Sequence, residues 1–262
     1  MDVDRAMDYS LITPERAAKL ELLIHLLTNS NRTIVLCGSH GVGKTTLLNA
    51  FKQRTNPTDL VVLLQGKDNL NLEQIETQLL INCPKNQTLA ELLDSFALQQ
   101  RKIIVLMDDA GLLPPYLITE LIEFATQHNV LKLVFVLTHD ELAVKTYSDS
   151  SVEDAHIIEM PPLTQTQCVD FLQHLALKTT LPVPKQVSDD MIAELYQQTH
   201  GIPAKILDLL PTLAKRRKHK QQDPINVGLI LLLLLLLLGI LLFTLPKAAL
   251  EPILPYLDKL HP

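Results

Sequence analysis

Gly38-Ser39-His40-Gly41-Val42-Gly43-Lys44-Thr45 fits the pattern G-x-x-x-x-G-K-[ST], and it stands between an apolar run, Thr33 to Cys37, and a helical pattern from Lys44 to Arg54. Few other features constrain a chain as much. The glycines let the backbone turn tightly so that successive N–H groups point at phosphate oxygens above a helix N-terminus. In that reading Gly38, Ser39, His40, Gly41, Val42 and Gly43 form the cradle and Lys44 reaches the β- and γ-phosphates. Thr45 ligates Mg²⁺. His40 occupies a position of the loop that is variable in type and is read as filler. Such a loop needs a parallel sheet behind it.

The rest of the chain supplies one. Aliphatic runs of strand length, Thr33 to Cys37, Leu60 to Gln65, Lys102 to Met107, Leu131 to Leu137 and His156 to Met160, alternate with longer helical patterns. The helices are expected near Pro14 to Leu27, Lys44 to Arg54, Leu72 to Ile81, Leu89 to Gln99, Pro115 to His128 and Glu141 to Thr146. Continuous β-branched strands suit burial on both faces, so the expectation is an α/β P-loop NTPase, a three-layer sandwich on a parallel sheet. After Pro161-Pro162 only helices are predicted, roughly Thr164 to Lys178, Ser188 to Gln198 and Pro203 to Ala214, as a small helical subdomain. Leu181-Pro182-Val183-Pro184 breaks the first two.

Two further groups belong at the C-terminal ends of strands, the ligand side of such folds. Ile103 to Met107 runs into Asp108 and Asp109. Asp108 is placed to hold Mg²⁺ through water. Asp109 stands where a hydrolytic site needs a carboxylate against the attacking water, usually Glu. Asp is one methylene shorter, and a 1 Å misplacement can cost about 100-fold, so slow hydrolysis is expected. Leu131 to Leu137 runs into Thr138, His139 and Asp140, with Thr138 read as a sensor of the γ-phosphate or an orienter of water, and Asp140 as the cap of the next helix.

The chain has 262 residues, of which 47% are hydrophobic but only 4% aromatic, with no Trp. Much of the aliphatic excess lies between Val227 and Leu245, where Leu231 to Leu238 is unbroken and no charge occurs. About 19 such residues suffice to cross ~30 Å of hydrocarbon. Lys215, Arg216, Arg217, Lys218, His219 and Lys220 precede it, against only Lys247 and Lys259 after it, which puts the N-terminal side in the cytoplasm. The expected organisation is a nucleotide-binding domain over 1–162, a helical subdomain over 163–214, a basic juxtamembrane linker over 215–226, a transmembrane helix over 227–245 and a short periplasmic tail over 246–262. With 23 Lys+Arg against 29 Asp+Glu and a formal charge of −6, a surface that tracks nucleic-acid phosphates throughout is excluded. Three scattered cysteines, Cys37, Cys83 and Cys168, suggest neither a disulfide framework nor a zinc site.

In the order Gly38 to Thr45, Leu106 to Asp109, Val136 to His139 and Gly201-Ile202-Pro203-Ala204-Lys205, the chain resembles an AAA+ ATPase over roughly Tyr9 to Leu213. It is most similar to the secretion ATPases of the GspA/ExeA type and the related DamX-like ATPase domains. Tyr9-Ser10-Leu11, the extension Lys44-Thr45-Thr46-Leu47-Leu48 and Pro162-Leu163-Thr164 stand where that family has similar residues. The resemblance implies ATP and Mg²⁺ as cofactors, with Thr46 and Lys205 added to the nucleotide contacts. Lys205 replaces the family's Arg and lacks its planar fork. Also implied are a homo-oligomer, envelope or secretion partners and a single-pass place in the bacterial inner membrane. No Arg occurs between Asp140 and Met160, where the resemblance implies arginines, one of them able to act across a subunit interface. Weak or partner-dependent hydrolysis is therefore expected. A nucleotide-bound scaffold without hydrolysis is the second reading, and a DNA-acting ATPase, suggested by the basic run, the third.

Overall fold

The computed structural model describes residues 13–81, 88–178, 188–220, 231–232 and 234–237. Tyr9-Ser10-Leu11, Cys83, the Leu181 to Pro184 break, most of the apolar stretch 227–245 and the tail 246–262 lie outside them. Thr13 opens the first helix, α1 (Pro14–Asn29): its hydroxyl accepts from the Arg16 N–H at 3.3 Å, and Pro14 takes the first helical position, where no N–H is needed.

Five strands follow, β1 (Ile34–Cys37), β2 (Leu60–Gln65), β3 (Ile103–Asp108), β4 (Leu131–Leu137) and β5 (His156–Glu159), all parallel in the order β2-β3-β4-β1-β5. Every residue of β1, β3 and β4 is buried, as continuous apolar runs require. Side chains alternate between two cores. Leu36, Leu106, Val134, Val136 and Ile158 pack with Leu20 and Leu23 of α1 and with Leu47 and Phe51 of α2 (Lys44–Arg54). Val35, Val105, Met107 and Phe135 pack on the opposite side with α3 (Leu72–Ile81), α4 (Leu89–Leu98) and α5 (Leu117–Gln127). The expected three layers are present.

Lys132 is an apparent violation, a charge inside a strand and only 6% exposed. Its ammonium donates to the Ser30 carbonyl at 3.1 Å and to Asn31 Oδ1 at 2.5 Å, while Lys102 donates to the Leu27 and Thr28 carbonyls at 3.1 and 3.2 Å. The two lysines satisfy carbonyls at and just past the C-terminal end of α1, where cations also meet the negative end of the helix dipole. That pins the far end of α1 to the N-terminal edge of the sheet.

Two element starts differ from expectation by two residues, and β1, β3, α7 and α8 each start one residue later than expected. Tyr116 takes a left-handed backbone, so α5 begins at Leu117 rather than Pro115. The helix α6 (His139–Ser148) is capped by Thr138 and not by Asp140, and therefore starts two residues early. Short 3-10 turns, Ala110–Leu112 and Ser150–Asp154, follow β3 and α6. The helices α7 (Gln165–Lys178), α8 (Asp189–Thr199) and α9 (Pro203–Lys220) complete the order. The chain divides into compact units Met1–Pro211 and Thr212–Pro262, so α7 and α8 share a unit with the sheet. The first six residues of the expected basic linker are helical, as the end of α9. Among the described residues no helix is long and apolar enough to cross a membrane; within the apolar stretch Leu231, Leu232, Leu234, Leu235, Leu236 and Leu237 are helical and 57–61% exposed.

Candidate nucleotide site

β1 delivers the chain to the C-terminal edge of the sheet, where Gly38 N–H donates to the Leu137 carbonyl at 3.2 Å and Met160 N–H to the Cys37 carbonyl at 2.7 Å. The loop then turns through Gly43, which caps α2 with φ of 101°. A side chain there would be strained and would meet the Arg16 guanidinium at 3.2 Å. The Lys44 ammonium donates to the Gly38 and Ser39 carbonyls at 2.6 and 3.0 Å, so it is folded back over its own loop. Burial lowers its pKa, opposed by the charges of Glu141, Cys37, Asp108 and Asp109.

A cavity of about 280 Å³ opens beside this loop. Of the residues expected from sequence, His40, Gly41, Gly43, Lys44, Thr45 and Thr46 line it from the loop and α2, and Asp108 and Asp109 from the end of β3. His40 is thus a wall residue. Gly38, Ser39 and Val42 form the loop without lining the cavity. Asp108 is 4% exposed and accepts from the Asp109 N–H at 3.1 Å. Asp109 is exposed, takes a left-handed backbone with φ of 49°, and accepts a hydrogen bond from the Gln65 amide.

Thr138 stands at the end of β4 as expected, outside the cavity wall. Its hydroxyl oxygen accepts from the Glu141 N–H at 3.2 Å, and its own N–H donates to Glu141 Oε2 at 2.7 Å. The cap uses the hydroxyl oxygen as acceptor and leaves its proton unused. Lys205 is exposed and does not line the cavity; Pro203, Ala204 and Leu207 of α9 do, with Ala204 N–H donating to the Gly41 carbonyl at 3.2 Å.

The residues present fit a magnesium–nucleotide group. A flexible ammonium held only by carbonyls of its own loop can exchange them for phosphate oxygens. One hydroxyl and one buried carboxylate, with phosphate oxygens and water, meet the usual donor set of Mg²⁺. Among the described residues no cluster of three or more His, Cys, Asp or Glu suits a resident metal. A larger cavity, about 600 Å³, lies at Arg32, Thr33, Glu123 and Asp154, beside the N-terminal ends of β1 and β5, and has no such combination of groups.

Sequence reasoning missed three neighbours of the site. Arg16 lies in the first turn of α1, where a cation opposes the helix dipole, and that misfit was a readable signal of a second partner. Its guanidinium donates to the Pro161 carbonyl at 3.4 Å and burial lowers its pKa. Gln65 ends an otherwise apolar strand in register with Asp108. Glu141 completes the pattern T-x-x-E with Thr138.

A family model described as an AAA domain matches residues 27–144. No curated protein sequence matches the chain. Among solved structures, the Thermotoga maritima RuvB Holliday junction branch migration motor is similar with a TM-score of 0.53 and 15% identity, over 83% of this chain and 66% of that one. Drosophila ORC bound to DNA is similar with a TM-score of 0.54 and 16% identity, over 78% and 61%. The chain spans less than two thirds of either structure's chain, and at such identities the likeness is one of fold. Residues 27–144 thus match an AAA domain, within an α/β P-loop NTPase-like fold built on a five-stranded parallel sheet.

Proposed function

We propose that this chain binds ATP with Mg²⁺ in the cleft between the phosphate loop, β3 and α9, cleaves it slowly or only with a partner, and uses nucleotide state to control assembly with copies of itself or with cell-envelope or secretion proteins. The observation that carries the reading is Lys44, Thr45 and Asp108 lining one cavity. The magnesium ion supplies charge neutralisation of the phosphates; Lys44 adds a cation, Asp108 a ligand and Thr138 a donor. Asp109 is the carboxylate offered to water, and its bond from Gln65 holds it away from full freedom. Slow cleavage follows from that restraint, from the shorter Asp side chain and from a cavity wall without any arginine among the described residues. The 227–245 stretch and the basic run before it support a single-pass anchor in the bacterial inner membrane, with the AAA domain cytoplasmic and the tail periplasmic.

Purified full-length chain, incubated with labelled ATP and Mg²⁺ and then captured, is expected to retain nucleotide that chromatography identifies as mostly ATP. Bound ADP alone would mean efficient cleavage, and no bound nucleotide would refute the reading. DNA is the second reading, supported by the basic run and by the two similar structures, one named as a Holliday junction motor and one as bound to DNA. On fractionation of cells the chain is expected in the membrane pellet and to be released by detergent, not by salt. Release by salt together with DNA would favour the second reading.

A further inference from the structure

The Arg16 guanidinium is a half-buried cation with little to do in the fold. It donates to the Pro161 carbonyl at 3.4 Å, a long bond that uses one of its five N–H donors. Among the described residues no carboxylate pairs with it. Burial alone shifts its pKa, so no neighbouring acid offsets the cost of the charge, and a cation in the first turn of a helix opposes the dipole as well. A neutral amide would serve Pro161 equally. Packing therefore does not call for a guanidinium.

The same group lies where two cavities meet. Its Nη1 is 3.2 Å from the point where a Cβ on Gly43 would stand, and Gly43 lines the 280 Å³ cavity with Lys44, Thr45, Asp108 and Asp109. Arg16 itself lines a second cavity, about 330 Å³, walled mainly by Met160, Pro161 and Leu163. Glu15 and Lys19 line it too with opposite charges, which leaves Arg16 as its unbalanced cation. Asp108 and Asp109 line the first cavity and not the second, so Arg16 stands on the side away from the phosphate to be cleaved.

Resting on the nucleotide-binding reading above, we propose that Arg16 is a nucleotide-binding residue whose guanidinium pairs with the α-phosphate, the one that ATP and ADP both carry next to the ribose. Lys44, Thr45 and Asp108 serve the outer phosphates and their magnesium at the other end of the cleft. Gly43 has no side chain to stand between the guanidinium and the loop, and the long bond to Pro161 is exchanged for charge-assisted bonds to phosphate oxygens. Arg16 thus sets how tightly a nucleotide is held without selecting between the states before and after cleavage.

Arg16→Gln keeps a donor for the Pro161 carbonyl and removes the charge; Arg16→Lys keeps a donor and the charge. Titrations of the full-length chain, each with Mg²⁺, are expected to show Arg16→Gln about 10-fold weaker for ATP and for ADP with their ratio unchanged, and Arg16→Lys within about 3-fold of wild type. Melting without nucleotide is expected to match wild type in both variants. A loss confined to ATP, no loss for either nucleotide, or equal losses in the two variants would overturn the assignment while leaving the site reading intact. So would an Arg16→Gln chain that fails to fold, since the charge would then belong to the fold. Wild-type chain that binds neither nucleotide would overturn both.

Discussion

Lys44→Ala is expected to weaken ATP binding about 100-fold, about 3 kcal/mol, because an ammonium that bridges two phosphates contributes charged hydrogen bonds worth about 1.5–3 kcal/mol each. The protein itself is expected to lose almost nothing. Lys44 donates only to the Gly38 and Ser39 carbonyls, beside a cavity where water can replace it, and its burial disfavours the charge it carries. The difference is measurable in one thermal-shift series. Nucleotide at about 100 times its dissociation constant stabilises the native state by about 2.7 kcal/mol, which for a chain of this size raises Tm by roughly 5–10 °C. Wild type should show that shift, whereas Lys44→Ala, whose dissociation constant then equals the nucleotide concentration, should gain only about 0.4 kcal/mol, about 1–2 °C, from the same starting Tm. Equal shifts in the two proteins would show that the lysine is not a phosphate ligand.

Gly201→Ala is expected to do the reverse, to damage the fold and the cleft together. Gly201 has φ of 71°, and an added Cβ would stand 1.9 Å from the Leu163 carbonyl oxygen, a contact no rotation relieves. The Gly201 carbonyl meanwhile accepts from the Leu163 N–H at 2.8 Å, which joins the turn before α9 to the segment after β5. Left-handed strain and overpacking each cost about 1–3 kcal/mol, so the loss is about 3–4 kcal/mol and Tm falls by about 10 °C. Because Ala204, three residues on, bonds the phosphate loop at Gly41, ATP affinity should fall in the surviving folded fraction as well. A melting temperature within 2 °C of wild type would show that the backbone relaxes around the new methyl group.

The elements that are regular on their own terms were legible. β2 and β4 and the helices α2 and α3 have the bounds that periodicity predicts, because each is a continuous apolar run or an amphipathic repeat ended by a turn. The phosphate loop and the acids at the end of β3 were legible for the same reason: their chemistry depends on short spacing. The start of α6 was misread because Asp140 and Thr138 are both good caps and only the reciprocal bond to Glu141 decides between them. The order of strands was not readable, since it depends on pairings remote in the chain. Arg16, Gln65 and Glu141 belong to three different elements, and no local pattern says that they meet Gly43, Asp109 and Thr138 respectively. Lys205 shows the converse limit. A motif position put it at the nucleotide, but one residue along a helix is a rotation of about 100°, and its neighbour Ala204 faces the cleft instead.

The central position of β1 bears on how the protein is made. β1 pairs with β4 and β5, and the partner of Ile34, Val134, lies 100 residues further along the chain. A strand of four buried apolar residues thus leaves the ribosome long before either neighbour exists. At about 5–20 residues per second, several seconds or more separate its synthesis from that of β5. Until then the phosphate loop has no sheet behind it and cannot hold its shape. The nascent chain must keep Ile34, Val35, Leu36 and Cys37 from pairing elsewhere, so folding of this domain is expected to be slow and to need shielding by a chaperone during translation.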